Sequence, residues 1–115
     1  MLRGEIRLVD LDPARSGEAD KQRPAVIVSN DGANTMATRL GRGVVTVIPV
    51  TTNTARVYPF QVFLPASETG LDRDSKAQAE QVRSVSVDRI SAKIGAVPPA
   101  SMFQVDEALR LHLVL

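Results

Sequence analysis

Residues 17–31 read GEADKQRPAVIVSND, and the change of character inside this stretch decides how the chain is read. Glu18 and the run Asp20, Lys21, Gln22, Arg23 are polar or charged, whereas 24–28 (PAVIV) is apolar without interruption. An unbroken apolar run of this kind fits a strand covered on both faces, and a proline is tolerated at a strand's first position. Arg23 therefore stands at the mouth of a buried strand. It is either part of a solvated loop entering a sheet or a guanidinium held rigidly at the sheet's end, suited to a phosphate.

Working outward, 5–11 (EIRLVDL) alternates polar and apolar residues, the period of a half-buried strand. Asp12-Pro13 ends it, because proline cannot donate to a ladder and pushes its predecessor toward turn geometry. A polar loop, 14–22, separates it from the central strand. After that strand, 31–40 is expected to form a short helix starting near Asn30 or Asp31 and closed by Gly41 and Gly43. A second buried strand is expected over 44–50 (VVTVIPV), followed by the polar knot Thr51-Thr52-Asn53-Thr54. The segment 58–64 (YPFQVFL) holds three of the four aromatics and reads as a strand whose start Pro59 demotes to an edge or bulge. In 77–87, AQAEQV suits a helix and VRSVSV a strand; the strand reading is adopted, with a helical turn after it and a short strand over 92–97. Pro98-Pro99 announces a terminal helix whose face carries Met102, Val105, Leu109, His112 and Leu113. Five or more strands and one terminal helix define a mostly β, α+β fold: a small antiparallel barrel-like sheet with a C-terminal helix, in one domain over 1–115.

Composition narrows the function classes. A length of 115 residues suits one modest core. No apolar stretch approaches the ~18 residues of a membrane span, and 1–13 has no apolar core of a signal peptide, so no membrane and a cytoplasmic location are expected. With Cys 0 there is neither a disulfide framework nor a thiolate metal site. The net charge is only +1, with both signs interleaved, so any basic groove must be assembled by folding.

His112 is the single histidine, expected as a partly buried residue of the terminal helix, which excludes a two-histidine acid–base mechanism. Asp10, Asp12, Asp72 and Asp74 flank expected turns, where Asp bonds its own backbone; no metal site and no cofactor are inferred. The polar strand ends remain: Glu18 to Arg23, Thr51 with Thr52 and Asn53, and Ser75 with Glu80, Gln81 and Arg83 beyond it. Together they offer a guanidinium for a phosphate, hydroxyl donors and a carboxylate, which metal-free phosphodiester cleavage requires.

The chain resembles the MazF/PemK family of toxin endoribonucleases (mRNA interferases) essentially from end to end. The blocks that carry the resemblance are GEIRLVDLDP, RPAVIVSND, VIPVTT, YPFQVFL, RDSKAQAEQVRSV and DEALRLHL, in that order. The resemblance implies a metal-independent ribonuclease, a homodimer, that cuts single-stranded RNA at short sequences and is silenced by an acidic MazE-type antitoxin. It implies Arg23 and Thr51 as catalytic residues, with Glu18, Thr52, Ser75, Glu80 and Gln81 binding RNA or supporting the site. The family reads Gly-Ser-Glu before its arginine, whereas this chain reads Ser16-Gly17-Glu18, which alters where that carboxylate points.

In such a reaction a ribose 2′-hydroxyl attacks the adjacent phosphorus, giving a 2′,3′-cyclic phosphate and a 5′-hydroxyl. Arg23 suits phosphorane stabilisation and proton donation; as a base it is unsuited, being always protonated. The base is left open, with Glu18 one candidate. The competing reading is a toxin of the same barrel type resembling the gyrase-binding CcdB proteins, which needs no Arg-Thr pair. A plain single-strand-binding barrel would need stacking aromatics, and Tyr 1, Phe 3 and Trp 0 offer few.

Overall fold

The computed structural model describes residues 1–11 and 22–115. In chain order the elements are β1 (Glu5–Asp10), β2 (Gln22–Ile27), α1 (Asp31–Leu40), β3 (Val44–Thr51), β4 (Gln61–Leu64), α2 (Ala66–Thr69), β5 (Ser75–Gln78), β6 (Arg83–Ser86), β7 (Ile90–Ala96) and α3 (Pro99–Leu113). Short 3₁₀ turns precede β6 (Ala79–Gln81) and β7 (Val87–Arg89). All pairings are antiparallel, in the order β4-β5-β3-β2-β1-β7, with β6 pairing β3 beside β5.

The sheet has two faces and a core on each. Ile6, Val26, Ile48, Val50, Val62, Leu64 and Ala77 point to one face, where Val105 and Ala108 of α3 close over them. Val9, Ala25, Ile27, Val45, Val47 and Val85 point to the other, under Ala37 of α1. This is why PAVIV and the stretch Val47 to Val50 are apolar at consecutive positions: both faces of these parts of β2 and β3 are covered. Asn30 caps α1 by accepting from the Ala33 N–H at 2.8 Å, and Gly41 ends it at φ +65°. The fully buried Asn34 ties that helix to the sheet: its amide donates to the Ser29 carbonyl and its Oδ1 accepts from Ser29 Oγ, which in turn accepts from Thr46 N.

Several expectations are corrected. The sheet is open among the described residues, so barrel-like is a loose term. Its two edge regions meet through packing: a Cβ at Gly95 of β7 would lie 2.4 Å from the carbonyl oxygen of Thr69 in α2. Pro24 is the third residue of β2; it is tolerated because the β2–β3 ladder begins one residue later, at Ala25↔Pro49. Residues 58–61 form a turn, closed by Gln61 N–H donating to the Tyr58 carbonyl with Pro59 at its second position, so β4 starts only at Gln61. The single strand expected over 77–87 is two strands on one edge of β3. β5 pairs with Val50 and Thr51, β6 with Val44 to Val47, and the turn between them steps out of the ladder. His112 and Leu113 are exposed; Ala108 takes the buried place on α3 instead. α2 was not expected; Asp74 accepts from the Ala66 N–H at its start.

Candidate functional site

Past Ala25↔Pro49 the β2–β3 ladder stops, since two prolines deny it donors and acceptable pairing geometry. At this end of the sheet a cleft of about 210 Å³ opens, lined by Leu11, Arg23, Pro49, Val50, Gln78, Gln81 and Arg83. Among the described residues, two cations and no carboxylate line it, and the neutral polar lining is two glutamines. Such a lining favours an anion with further hydrogen-bonding groups, as a phosphodiester strand has.

Register explains how residues so far apart in sequence come together. Val9↔Arg23 and Ala25↔Pro49 fix Arg23 on the face that carries Pro49. Continuing the same antiparallel register by two residues sets Thr51 across from Arg23. Thr51 pairs on its other side with Lys76, whose next same-face neighbour on β5 is Gln78. Arg83 lies opposite Val47, on that face again. The site is thus one face of the ends of β2, β3 and β5, opposite the face covered by α3.

The individual side chains differ in their freedom. Arg23 is exposed and makes no hydrogen bond or ion pair with a described residue, so its five donors are available to a ligand. Arg83 is tethered: its Nη1 donates to the Leu11 carbonyl at 2.8 Å, fixing the end of β1 beside the cleft. Gln81 is exposed at the end of the 3₁₀ turn. Thr51 Oγ1 accepts from the Asn53 N–H at 3.2 Å, which orients the hydroxyl and leaves its proton for another acceptor. Thr52 is exposed and directly follows.

Ser75 stands apart from this group. It is buried, and its hydroxyl donates to the Arg73 carbonyl, so it sits outside the cleft lining. Glu80 also faces away from the lining. Its Oε2 accepts from Gln61 Nε2 at 2.7 Å, and its Oε1 is buried without a described partner. Glu18 lies outside the described residues. Of the polar strand-end residues named from the sequence, the cleft therefore gathers Arg23, Gln81 and Arg83, with Thr51 on the same face. Gln78 completes the described lining; the polar residue at every second position of β5 is the sequence signal that could have singled it out. Among the described residues no three His, Asp or Glu side chains converge on one point.

An antiparallel sheet, open among the described residues, with one terminal helix and an arginine-lined cleft at its strand ends defines a small α+β protein with a cationic cleft. Residues 2–113 match the family described as PemK-like, MazF-like toxins of type II toxin–antitoxin systems, and the chain belongs to that family. It is 64% identical over 115 residues to endoribonuclease MazF9 of Mycobacterium tuberculosis, covering 100% of this chain and 98% of that one. To endoribonuclease EndoA of Bacillus subtilis it is 31% identical, with 98% and 94% covered. Among solved structures, an endoribonuclease in complex with its cognate antitoxin from a mycobacterial species superposes with a TM-score of 0.77. The two are 27% identical, and the match covers 100% of this chain and 96% of that one.

Proposed function

We propose that this chain, as a single domain over 1–115, is the toxin of a type II toxin–antitoxin pair: a sequence-specific, metal-independent endoribonuclease acting on single-stranded RNA in the cytoplasm. The observation that carries this reading is the Arg23 side chain, without a hydrogen-bond or ion-pair partner among the described residues, sharing with Gln81 and the tethered Arg83 a cleft whose described lining holds no carboxylate. Arg23 binds the scissile phosphate through its planar fork and stabilises the charge that builds on it when the 2′-hydroxyl attacks. It can also deliver a proton toward the departing 5′-oxygen. Thr51 adds a hydroxyl donor from the facing strand end. Gln78 and Gln81 offer amides to base edges or sugars, and Thr52 extends the polar rim. Ser75 supports from below, through the backbone it holds, and Glu80 by fixing Gln61. Glu18, outside the described residues, would contribute from the segment between β1 and β2.

The chain works as a homodimer inhibited by an acidic antitoxin of the MazE type. Exposed Leu111, Leu113, Val114 and Leu115 at the end of α3 supply apolar surface for protein contacts, and the cationic cleft suits an acidic segment imitating RNA. The gyrase-binding alternative gains no support, since none of the relatives described above is a protein of that type.

The test is cleavage of a long single-stranded RNA in EDTA, followed by end-group analysis. Products with 5′-hydroxyl and 2′,3′-cyclic phosphate ends are expected. Activity that disappears in EDTA and returns with Mg²⁺ would overturn the metal-independent mechanism.

A further inference from the structure

The chain has four aromatic residues, and three of them, Tyr58, Phe60 and Phe63, lie together on β4 and the turn before it. The rings of Tyr58 and Phe60 stack with 5.4 Å between centroids and only 3° between planes. Two cations surround Tyr58: the Arg56 guanidinium carbon is 5.7 Å from the ring centroid and Lys76 Nζ 5.9 Å. Arg56 Nη1 also donates to the Tyr58 hydroxyl at 3.3 Å. Part of this cluster answers a structural need. Lys76 is buried, and its ammonium is satisfied by the Arg56 carbonyl at 2.6 Å and by the ring face. That need leaves unexplained why Tyr58 stays 42% exposed beside an exposed Arg56.

The position of the cluster supplies the explanation. Lys76 pairs with Thr51 on β3 and with Phe63 on β4, and side chains directly opposite in an antiparallel ladder share a face. The aromatic cluster is therefore the continuation, one strand further, of the face that carries Arg23, Thr51 and Gln78. A strand of RNA bound with its phosphate at Arg23 and Thr51 and following this face would reach Tyr58.

We propose that Tyr58, backed by Phe60 and flanked by Arg56 and Lys76, is a base-stacking subsite that holds an unpaired nucleobase next to the scissile phosphate. This rests on the ribonuclease reading and names a specificity-determining element of the same site. Stacking on a ring held parallel to a second ring is sequence-tolerant, and the exposed Arg56 guanidinium attracts the backbone of the same nucleotide, while the buried Lys76 holds the ring in place. Phe60 and the Tyr58–Gln61 turn fix the ring before RNA arrives, so little ordering is left to binding.

The chain supplies its own reporter, because Tyr58 is its single tyrosine and it contains no tryptophan. Intrinsic fluorescence therefore reads Tyr58 alone. The probe is a mixed-sequence single strand of about twelve nucleotides with every 2′-hydroxyl replaced by fluorine, so that it cannot be cut. Free N-acetyltyrosinamide corrects for absorbance, and anisotropy of a labelled copy measures binding independently. Saturable quenching that tracks binding is expected, with photo-crosslinking of 5-iodouridine to Tyr58. Tyr58→Leu should raise KM by about 5- to 150-fold, the range of losing one stacked base, with kcat nearly unchanged. Tyr58→Phe should restore KM, since the ring and not the hydroxyl carries the contact, and a thermal melt checks that both variants are folded. RNA binding without quenching, or a folded Tyr58→Leu with unchanged KM, overturns the subsite and leaves the nuclease standing. A wild-type protein that neither binds nor cuts single-stranded RNA overturns both.

Discussion

Two arginines face one cleft, and their surroundings assign them different jobs that replacement by alanine separates. The Arg23 side chain contributes no hydrogen bond or ion pair to the described structure, so Arg23→Ala should change stability by no more than about 0.5 kcal/mol, as for an ordinary surface site. Arg83 donates to the Leu11 carbonyl at 2.8 Å, and Leu11 is buried. Losing that bond at a partly exposed position should cost about 1 kcal/mol. For 115 residues the unfolding entropy is about 0.24 kcal/mol/K, so 1 kcal/mol lowers Tm by ~4 °C. Arg23→Ala should thus melt within about 2 °C of wild type, and Arg83→Ala about 4 °C lower, at equal protein concentration. Activity should reverse the ranking. Removing the preorganised donor Arg23 should lower single-turnover cleavage by about 10²–10³, or roughly 3–4 kcal/mol, whereas Arg83→Ala should lose less. Arg23→Lys should recover little, because an ammonium lacks the planar fork. The assay is cleavage of an end-labelled RNA under single-turnover conditions beside calorimetric melting of the same samples. A variant Arg83→Ala that melts like wild type but cuts as poorly as Arg23→Ala would refute the division, making Arg83 the phosphate ligand.

Asn34→Ala removes the buried amide that holds α1 to β3 through Ser29 and leaves the half-buried Ser29 groups without that partner, so denaturant unfolding should show a loss of about 2–3 kcal/mol; a loss below about 0.5 would refute the bridging role. Gly95→Ala places a Cβ 2.4 Å from the Thr69 carbonyl oxygen, forcing the β7–α2 contact apart; a destabilisation of about 1–3 kcal/mol is expected, and unchanged Tm would show that the two edges are not in such close approach. Thr51→Ser keeps the hydroxyl and should retain most cleavage, while Thr51→Ala should lose most of it; equal rates for the two variants would remove the hydroxyl from the mechanism. Partial burial raises the Glu5 pKa, but the hydrogen bond and charge of Arg7 outweigh it, so the carboxyl titrates below its ordinary 4.5. Its contribution is therefore present above 4.5 and lost as pH falls through the lower folded-state value; the stability gap between wild type and Glu5→Gln should close on acidification, and a gap that widens would reverse the assignment.

What the sequence determined by itself is local in origin. The unbroken apolar run at 24–28 foretold a strand covered on both faces, and the apolar-rich 44–50, interrupted only by Thr46, a second buried strand. Asn30 and Gly41 bounded α1 because capping chemistry acts within one turn, and Pro98-Pro99 marked the start of α3. The ordered blocks from GEIRLVDLDP to DEALRLHL were enough to place the chain in its family. The tertiary structure decided everything that depends on which strand lies beside which. In 77–87, alternation and helical spacing compete, and only the free edge of β3 splits the segment into β5, a turn and β6. Tyr58 and Pro59 satisfy a strand pattern by composition, yet the Gln61 hydrogen bonds turn them out of the ladder and set the aromatic stack. Ser75 and Gln81 looked equivalent as polar residues near a strand end, but pairing buries one and delivers the other to the cleft. Arg23 and Thr51 come to the same face through a register that 27 intervening residues cannot announce, because hydrogen-bonded pairing between distant segments leaves no periodic trace in either segment alone.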